Sequence, residues 1–196
     1  MNGQRRVVLI TDVVPHHWLS TFVELSKRAP YWWHFRLNRF DPLSALFTVG
    51  SGPEEGRLRS LVSGLGIPNV VLCGAVRQSE MPEIYGAADA FVFPTLHDPF
   101  GMVLLEAAAS GLALISSPYA GATRDLIEEG RSGVVVDPRD INGMASAMLR
   151  LARKPDERER LARAACESAL ERTPIASAEA FMRAIEAAPS LYRTAS

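Results

Sequence analysis

Two carboxylates, Asp98 and Glu106, flank seven residues that begin with Pro-Phe-Gly, and their spacing suits the binding of a polar ligand. The pattern predicts that a helix begins at Gly101. N–H groups in the first turn of a helix have no partner within it, and with the helix dipole they bind anions such as a diphosphate. We therefore predict an anion site at the amides of Phe100, Gly101 and Met102.

The carboxylates predict contacts with hydroxyl groups. Glu106 lies more than one turn inside the predicted helix, where its carboxylate can accept hydrogen bonds from the vicinal hydroxyls of a ribose. Gly101 lets a ligand approach the backbone closely, and Asp98 can accept from a sugar hydroxyl. The alternative is structural, because acidic residues early in a helix are favoured by its dipole alone. Asp98 is then a loop residue and Glu106 a solvated one.

The elements that must position these residues follow from the alternation of short apolar runs with amphipathic runs. The apolar runs predict strands at Val7–Ile10, Ala45–Val49, Val70–Cys73, Ala90–Phe93, Leu112–Ser116 and Val134–Val136. Helices are predicted at 19–25, 58–65, 81–88, 101–110, 123–129 and 140–153, with two more near the C-terminus.

Apolar strands separated by helices indicate a parallel sheet that is covered on both faces. The predicted fold class is α/β, a single Rossmann-like domain over residues 7–155 with C-terminal helices at 156–188 packed on it. Sheets of this kind bind ligands at the carboxyl ends of their strands. Gly50 and Gly52 follow the second predicted strand and Gly74 follows the third.

Composition excludes several classes of partner. The formal net charge of −1 gives no electrostatic case for nucleic acid or an anionic membrane. The apolar run at Val7–Ile10 is too short for a signal peptide or a membrane span. Cys73 and Cys166 lack metal-type spacing, which favours reduced cysteines. We predict a cytoplasmic protein without a transmembrane segment.

The ordered motifs resemble the C-terminal domain of GT-B glycosyltransferases, in particular the retaining glycosyltransferase family 4. That family carries the pattern E-x-F-G-x-x-x-x-E, and this chain has Asp98 and Glu106 at the same spacing, with Asp for the first Glu. The resemblance covers roughly residues 7–155. Other matching segments are Thr48–Glu54, Cys73-Gly74, Glu106–Gly111, Ala120–Ala122, Gly130–Gly133 and Val136–Pro138.

The resemblance implies a nucleotide-diphosphate sugar as substrate, with no cofactor and no metal ion. In the family the second Glu holds the ribose, and the amides after the first Glu contact the donor sugar and its phosphates. The implied donor-binding residues are Phe100, Gly101, Met102, Glu106, Gly50, Gly52 and Gly74. Asp98 takes the catalytic role of the first Glu with a side chain shorter by one bond, roughly 1.5 Å.

The chain departs from the family where an Arg and a Lys clamp the donor diphosphate, in the pattern G-R-L-x-P-x-K-G. Here Asp12 stands in place of the Arg and His17 in place of the Lys. An Asp repels a diphosphate, and a His is mostly neutral near pH 7, so we predict a degenerate clamp. His16 and His17 are interpreted as surface residues, because no carboxylate or cysteine pattern completes a metal site.

The resemblance covers only the donor-binding half of a GT-B enzyme, so an acceptor domain or subunit is an expected partner. Residues 31–40 hold five aromatics. They either form a docking patch for an acceptor-domain protein or a second copy of the chain, or they cover the core as an ordinary loop or edge strand.

Two functions are therefore predicted. The first is a retaining-type glycosyltransferase domain of the hexosyltransferase class that needs a second domain for transfer. The alternative is a catalytically degenerate relative used for binding or assembly. A dinucleotide-dependent oxidoreductase is disfavoured, because no G-x-G-x-x-G follows the first predicted strand.

Overall fold

The strands of the computed structural model, which describes residues 7–10, 46–66 and 70–193, form a single parallel sheet. They are β1 Val7–Ile10, β2 Leu46–Val49, β3 Val70–Gly74, β4 Ala90–Phe93, β5 Ala113–Ser116 and β6 Val134–Val135. Their order across the sheet is β3-β2-β1-β4-β5-β6. In the central strand β1, Val7 pairs with Leu46 on one side and with Ala90 on the other.

In the described part of the chain, helices connect the consecutive strands from β2 to β6, as parallel pairing requires, and three more helices follow β6. They are α1 Glu55–Gly64, α2 Met81–Gly86, α3 Met102–Ala109, α4 Gly121–Leu126, α5 Ile141–Arg153, α6 Pro155–Leu170 and α7 Pro174–Arg193. A single 3₁₀ turn, Gln78–Glu80, precedes α2. The predicted cap at Asp140 is confirmed, because its Oδ1 accepts the Gly143 N–H at 2.8 Å at the start of α5.

The core lies on both faces of the sheet, because successive strand side chains point to opposite sides. Val92 and Ile115 pack on one face with residues of α1 and α5. Phe91 and Leu114 pack on the other face with residues of α2, α3 and α4. The strands are almost continuously apolar because both of their faces are buried, as the sequence indicated.

One predicted helix is wrong at both ends. The sequence indicated a helix over residues 123–129, whereas α4 begins at Gly121 and ends at Leu126. Ile127 is extended, and the next amide, that of Glu128, donates to Oγ of Ser132 at 2.9 Å. A side-chain hydroxyl thus takes an N–H that a continuing helix would use. The helix predicted near residues 19–25 lies outside the described residues.

The two C-terminal helices differ in burial. Leu161 and Ala165 of α6 are completely buried in the core. In contrast, Phe181 and Ile185 of α7 are largely exposed, and so are nearly all its described side chains up to residue 187. Within the described ranges, none of the helices combines the length and apolar character needed to cross a membrane.

Candidate functional site

The strand order reverses between β1 and β4, and open α/β sheets bind ligands in the crevice outside the carboxyl ends of strands at such a point. Strand β4 ends at Phe93, and the chain that leaves it carries Asp98 before α3 begins at Met102. The topology therefore places the predicted anion site and the Asp98 carboxylate on the edge of the sheet where a ligand is expected.

Three backbone hydrogen bonds join the loop at residues 98–100 to the loop between β5 and α4 and to the first two residues of α4. Asp98 N–H donates to the Tyr119 carbonyl at 3.2 Å, Gly121 N–H donates to the Asp98 carbonyl at 3.1 Å, and Ala122 N–H donates to the Phe100 carbonyl at 2.6 Å. The two loops are thus one backbone unit, and the position of Asp98 depends on both.

The start of α3 lacks a capping side chain. Gly101 has φ of 89°, a left-handed conformation that a residue with a Cβ adopts only at a cost, and it gives the helix no side-chain cap. A Cβ on Gly101 would also lie 3.0 Å from Cε1 of Phe93. Within the described part of the chain, the N–H groups of Gly101 and Met102 have no acceptor. These two amides fit the predicted anion site.

Phe100 requires a correction, because its N–H was expected to be free for a ligand. That N–H donates to Oδ1 of Asp98 at 2.9 Å. The Asp side chain folds back on its own loop, which is the common hydrogen-bonding behaviour of Asp two residues before an amide. Asp98 therefore satisfies one amide of the predicted set through Oδ1.

The Glu106 carboxylate is held by a residue outside the predicted site. The Tyr85 hydroxyl of α2 donates to Oε2 of Glu106 on α3 at 2.9 Å. Tyr85 is 3% exposed, and Glu106 is half-buried. A buried tyrosine nearly always needs a hydrogen-bond partner, so its place among the apolar positions of a predicted helix was the available signal.

The predicted glycines also meet at the carboxyl edge. Gly50 N–H, after β2, donates to the Gly74 carbonyl at the end of β3, at 2.8 Å. Gly74 has φ of 69°, which turns the chain away from the strand. The Gly52 carbonyl accepts the Glu55 N–H at 3.1 Å, so Gly52 joins this edge to the start of α1.

Hydrogen bonds from side-chain hydroxyl groups hold the loop after β5 in place. Oγ of Ser116 and Oγ1 of Thr123 are 2.8 Å apart, and both residues are buried. Thr123 Oγ1 also donates to the Ser117 carbonyl at 2.8 Å, and Ser117 Oγ donates to the Thr95 carbonyl at 2.6 Å. This network ties the end of β4 to α4, so it supports the loop that is bonded to Asp98.

Tyr119, in the same loop, belongs to an exposed cluster with two charged residues, Asp137 and Arg139. The Tyr119 hydroxyl donates to Oδ2 of Asp137 at 2.8 Å, and Nη1 of Arg139 donates to the Tyr119 hydroxyl at 2.6 Å. The Arg139 guanidinium lies 4.9 Å from the Tyr119 ring centroid. Hydrogen bonds from the Arg139 backbone N–H and from the Tyr119 hydroxyl lower the pKa of Asp137 below its ordinary value.

Several predicted residues lie outside the described residues, namely Asp12, His16, His17 and the aromatic segment at 31–40. The predicted degenerate clamp and docking patch therefore stay predictions. In the ranges 7–10, 46–66 and 70–193, no group of three or more His, Cys, Asp or Glu side chains is placed to hold a metal ion.

The chain is similar to known proteins over most of its length. The family model described as "Glycosyl transferases group 1" matches residues 36–154. A glycogen synthase of Mycobacterium tuberculosis is 34% identical over 131 residues, which are 66% of this chain and 31% of that protein. A GDP-mannose-dependent alpha-mannosyltransferase of the same organism is 36% identical over 129 residues, which are 65% of this chain and 32% of that protein. The chain thus spans about a third of the length of these relatives.

Two solved structures illustrate the likeness of fold. The C-terminal domain of a glycosyl transferase group 1 family protein, LpcC of Francisella tularensis, has a TM-score of 0.70 at 19% identity, and 86% of each chain is covered. HepE of Anabaena in complex with UDP has a TM-score of 0.73 at 18% identity, covering 94% of this chain and 49% of that one. At these identities the likeness shows the fold.

Proposed function

The chain belongs to the glycosyl transferases group 1 family, and from that premise we propose that its domain binds a nucleotide-diphosphate sugar for retaining-type transfer. The reaction takes place when a second domain or subunit supplies the acceptor. The proposal of a second unit is supported by length, because the chain spans about a third of its curated relatives.

One observation carries the proposal of nucleotide-sugar binding. The N–H groups of Gly101 and Met102, at the uncapped start of α3, stand one turn ahead of the Glu106 carboxylate at the carboxyl edge of the sheet. Amides at a helix start suit the diphosphate, and a carboxylate suits the vicinal hydroxyls of the ribose. A nucleoside diphosphate carries both groups at a short distance from each other. HepE and a mutant of S. aureus TarM, which are similar to this chain in fold, both have solved structures in complex with UDP.

The donor sugar then lies toward Asp98. The Oδ1 atom of Asp98 is engaged by Phe100 N–H, so Oδ2 accepts from a sugar hydroxyl. Gly50, Gly52 and Gly74 form the neighbouring edge at the ends of β2 and β3, where side chains are absent and a ligand can approach the backbone. No metal ion or cofactor takes part in this arrangement.

Leaving-group assistance is the weak part of the proposed mechanism. An Arg and a Lys at the clamp positions stabilise the charge that grows on the diphosphate as the glycosidic bond breaks. This chain has Asp12 and His17 at those positions. The helix N-terminus carries a larger share of that stabilisation, and His17 contributes when a bound phosphate keeps it protonated.

The same two substitutions favour a second candidate function. A domain that has lost the clamp can keep nucleotide-sugar binding, since Glu106 and the α3 amides are retained, and serve in binding or assembly without transfer. The two candidates differ in chemistry and agree on binding. Sugar released from a labelled nucleotide sugar, with and without an acceptor-domain protein, separates them: release or transfer supports the enzyme, and its absence in both cases supports the binding module.

Binding itself is tested by calorimetric titration with UDP, GDP and ADP. We expect one of them to bind saturably. Glu106→Ala should weaken that binding by about tenfold or more, because a hydrogen bond to a charged group contributes about 1.5–3 kcal/mol. Glu159→Ala is the matched control, since Glu159 is an exposed helical carboxylate in α6. No saturable binding, or equal losses in the two variants, contradicts the proposal.

A further inference from the structure

We propose that Tyr85 is a positioning residue that orients the Glu106 carboxylate toward the nucleotide ribose, an inference that rests on the function proposed above. The hydroxyl of Tyr85 is 2.9 Å from Oε2 of Glu106. The two residues lie on α2 and α3, the helices on either side of β4 in the chain. Their hydrogen bond is therefore a tertiary contact beneath the proposed ligand edge.

The Tyr85 ring is held rigidly. It is 3% exposed, and its edge packs against Phe91 with ring centroids 6.2 Å apart and planes at 68°. Phe91 is completely buried and stacks in turn with Phe93, at 6.0 Å. A ring fixed in this way presents its hydroxyl at one point, so the bond to Glu106 does not depend on a mobile donor.

Glu106 supplies the other half of the geometry. Its helix is anchored by Leu104, Ala107 and Ala108, all fully buried, so the Glu106 backbone is fixed. Its terminal torsion would otherwise be broad and two-fold, as for any Glu side chain. One bond from Tyr85 to Oε2 selects the carboxylate plane and leaves Oε1 and a second site on Oε2 to accept ribose hydroxyls. A pre-oriented acceptor loses less rotamer freedom when the ligand binds.

This role predicts an effect confined to the ribose hydroxyls. In Tyr85→Phe the ring that packs against Phe91 is kept and the hydroxyl that donates to Glu106 is lost. We expect the affinity for the ribonucleoside diphosphate to fall by about three- to tenfold. The affinity for its 2′-deoxy form should fall by less than about twofold, since the carboxylate has fewer hydroxyls to bind in that ligand. Tyr119→Phe, which loses a hydroxyl bonded to Asp137, should not discriminate between the two ligands.

A second variant tests orientation directly. In Glu106→Gln the Tyr85 hydroxyl donates to the amide oxygen, which turns the NH₂ group toward the ribose, where acceptors are needed. Glu106→Gln should therefore lose about as much affinity as Glu106→Ala. Adding Tyr85→Phe to Glu106→Gln frees the amide to rotate, so the double variant should bind the ribonucleotide more tightly than Glu106→Gln alone. A tyrosine that only fills space in the core would not produce this rescue.

The experiment is a calorimetric titration of the six forms (the wild type, four single variants and the double variant) with the diphosphate that the wild type binds and with its 2′-deoxy form, alongside thermal unfolding. Nucleotide binding by the wild type with selective loss in Tyr85→Phe and rescue of Glu106→Gln supports the inference. Equal losses for both ligands, or no rescue, overturn the positioning role while leaving the proposed function intact. If the wild type binds no nucleotide, the proposed function fails and the positioning role fails with it.

Discussion

The amide N–H of Phe100 donates to Oδ1 of Asp98 at 2.9 Å, and this bond closes the loop between β4 and α3 upon itself. The Phe100 carbonyl accepts the Ala122 N–H at 2.6 Å. The peptide groups around Phe100 are thus satisfied on both sides, one by a carboxylate and one by a neighbouring loop. Asp98 supports the structure of the loop and stands at the proposed ligand edge.

The first prediction concerns the loop-closing bond. Asp98→Ala removes the acceptor of the Phe100 N–H and should lower the free energy of unfolding by about 1 kcal/mol. Asp98→Asn keeps an oxygen acceptor in the same place and should cost less than about half of that. Urea denaturation followed by circular dichroism measures both. Equal losses for Ala and Asn would show that the negative charge, and not the hydrogen bond, holds the loop.

The second prediction concerns the length of the same side chain. Asp98→Glu lengthens the reach of the carboxylate by roughly 1.5 Å and disfavours the short fold-back to Phe100 N–H. The amide becomes available to a phosphate and the carboxylate reaches further toward the sugar. Relative to the wild type, we expect the affinity of Asp98→Glu for the nucleotide sugar to rise severalfold more than its affinity for the nucleoside diphosphate alone. Asp156→Glu, an exposed substitution at the start of α6, is the control. A loss for the nucleotide sugar in Asp98→Glu alone contradicts this account.

The sequence was sufficient for the sheet, because burial on both faces leaves a direct signature in composition. The strand predicted at Ala90–Phe93 is confirmed residue for residue, and that at Val134–Val136 differs only at its last residue. Helix α4 was predicted two residues late because its start depends on Gly121 against Pro99, a contact between distant loops. The periodicity of apolar residues shows which face of a helix is buried. It does not show contacts between loops, so it could not place the start of this helix.

Some features of the candidate site could likewise be predicted from the sequence, and others could not. The anion site predicted at Gly101 and Met102 depends on a strand, a loop and a helix in succession, which are local features. The bond between Tyr85 and Glu106 joins residues that are 21 positions apart, on two helices that β4 separates in the chain. A local sequence pattern does not record such a contact. The fold-back of Asp98 onto Phe100 is local, yet the choice between an amide and a ligand as partner depends on the side-chain torsion that the loop allows.

The third prediction tests the contact between the two loops. A Cβ on Gly121 would lie 2.3 Å from the carbonyl oxygen of Pro99, so Gly121→Ala must push the two loops apart. We expect a loss of about 1–3 kcal/mol in the free energy of unfolding, together with weaker nucleotide-sugar binding. Gly56→Ala is the matched control, because a Cβ there meets nothing within 4 Å in α1. That control should gain about 0.5–1 kcal/mol. A neutral Gly121→Ala would contradict the close packing of the loops.

The fourth prediction concerns the buried hydroxyl pair. Thr123→Val keeps the shape of the side chain but leaves Ser116 Oγ and the Ser117 carbonyl without their close partner. Leaving a buried polar group unsatisfied costs about 1–3 kcal/mol, which thermal and urea unfolding should detect. The double variant Ser116→Ala/Thr123→Val removes one of the orphaned groups and should recover part of the loss. Strictly additive losses in the double variant would show that the two hydroxyls act independently.

The fifth prediction concerns Cys73, which lies beside Gly74 at the end of β3. Burial raises its pKa from the ordinary value of 9.0 to about 11. At pH 8 roughly one Cys73 thiol in a thousand is then ionised in the folded state, and only the thiolate reacts with disulfide reagents. In a Cys166→Ala background, Cys73 should react about a hundredfold more slowly when folded than in urea.

The same shift gives a pH dependence of stability. The folded pKa exceeds the unfolded one, so between pH 9.0 and about 11 the unfolded chain has lost a proton that the folded chain retains. Stability therefore falls as the pH rises through this window, and the contribution of the thiol is fully present below it. Comparing urea unfolding of the wild type and Cys73→Ala at pH 8 and pH 10 isolates the effect. The difference in stability between these two pH values should be smaller in the variant, and an unchanged difference would mean that the thiol does not titrate in this window.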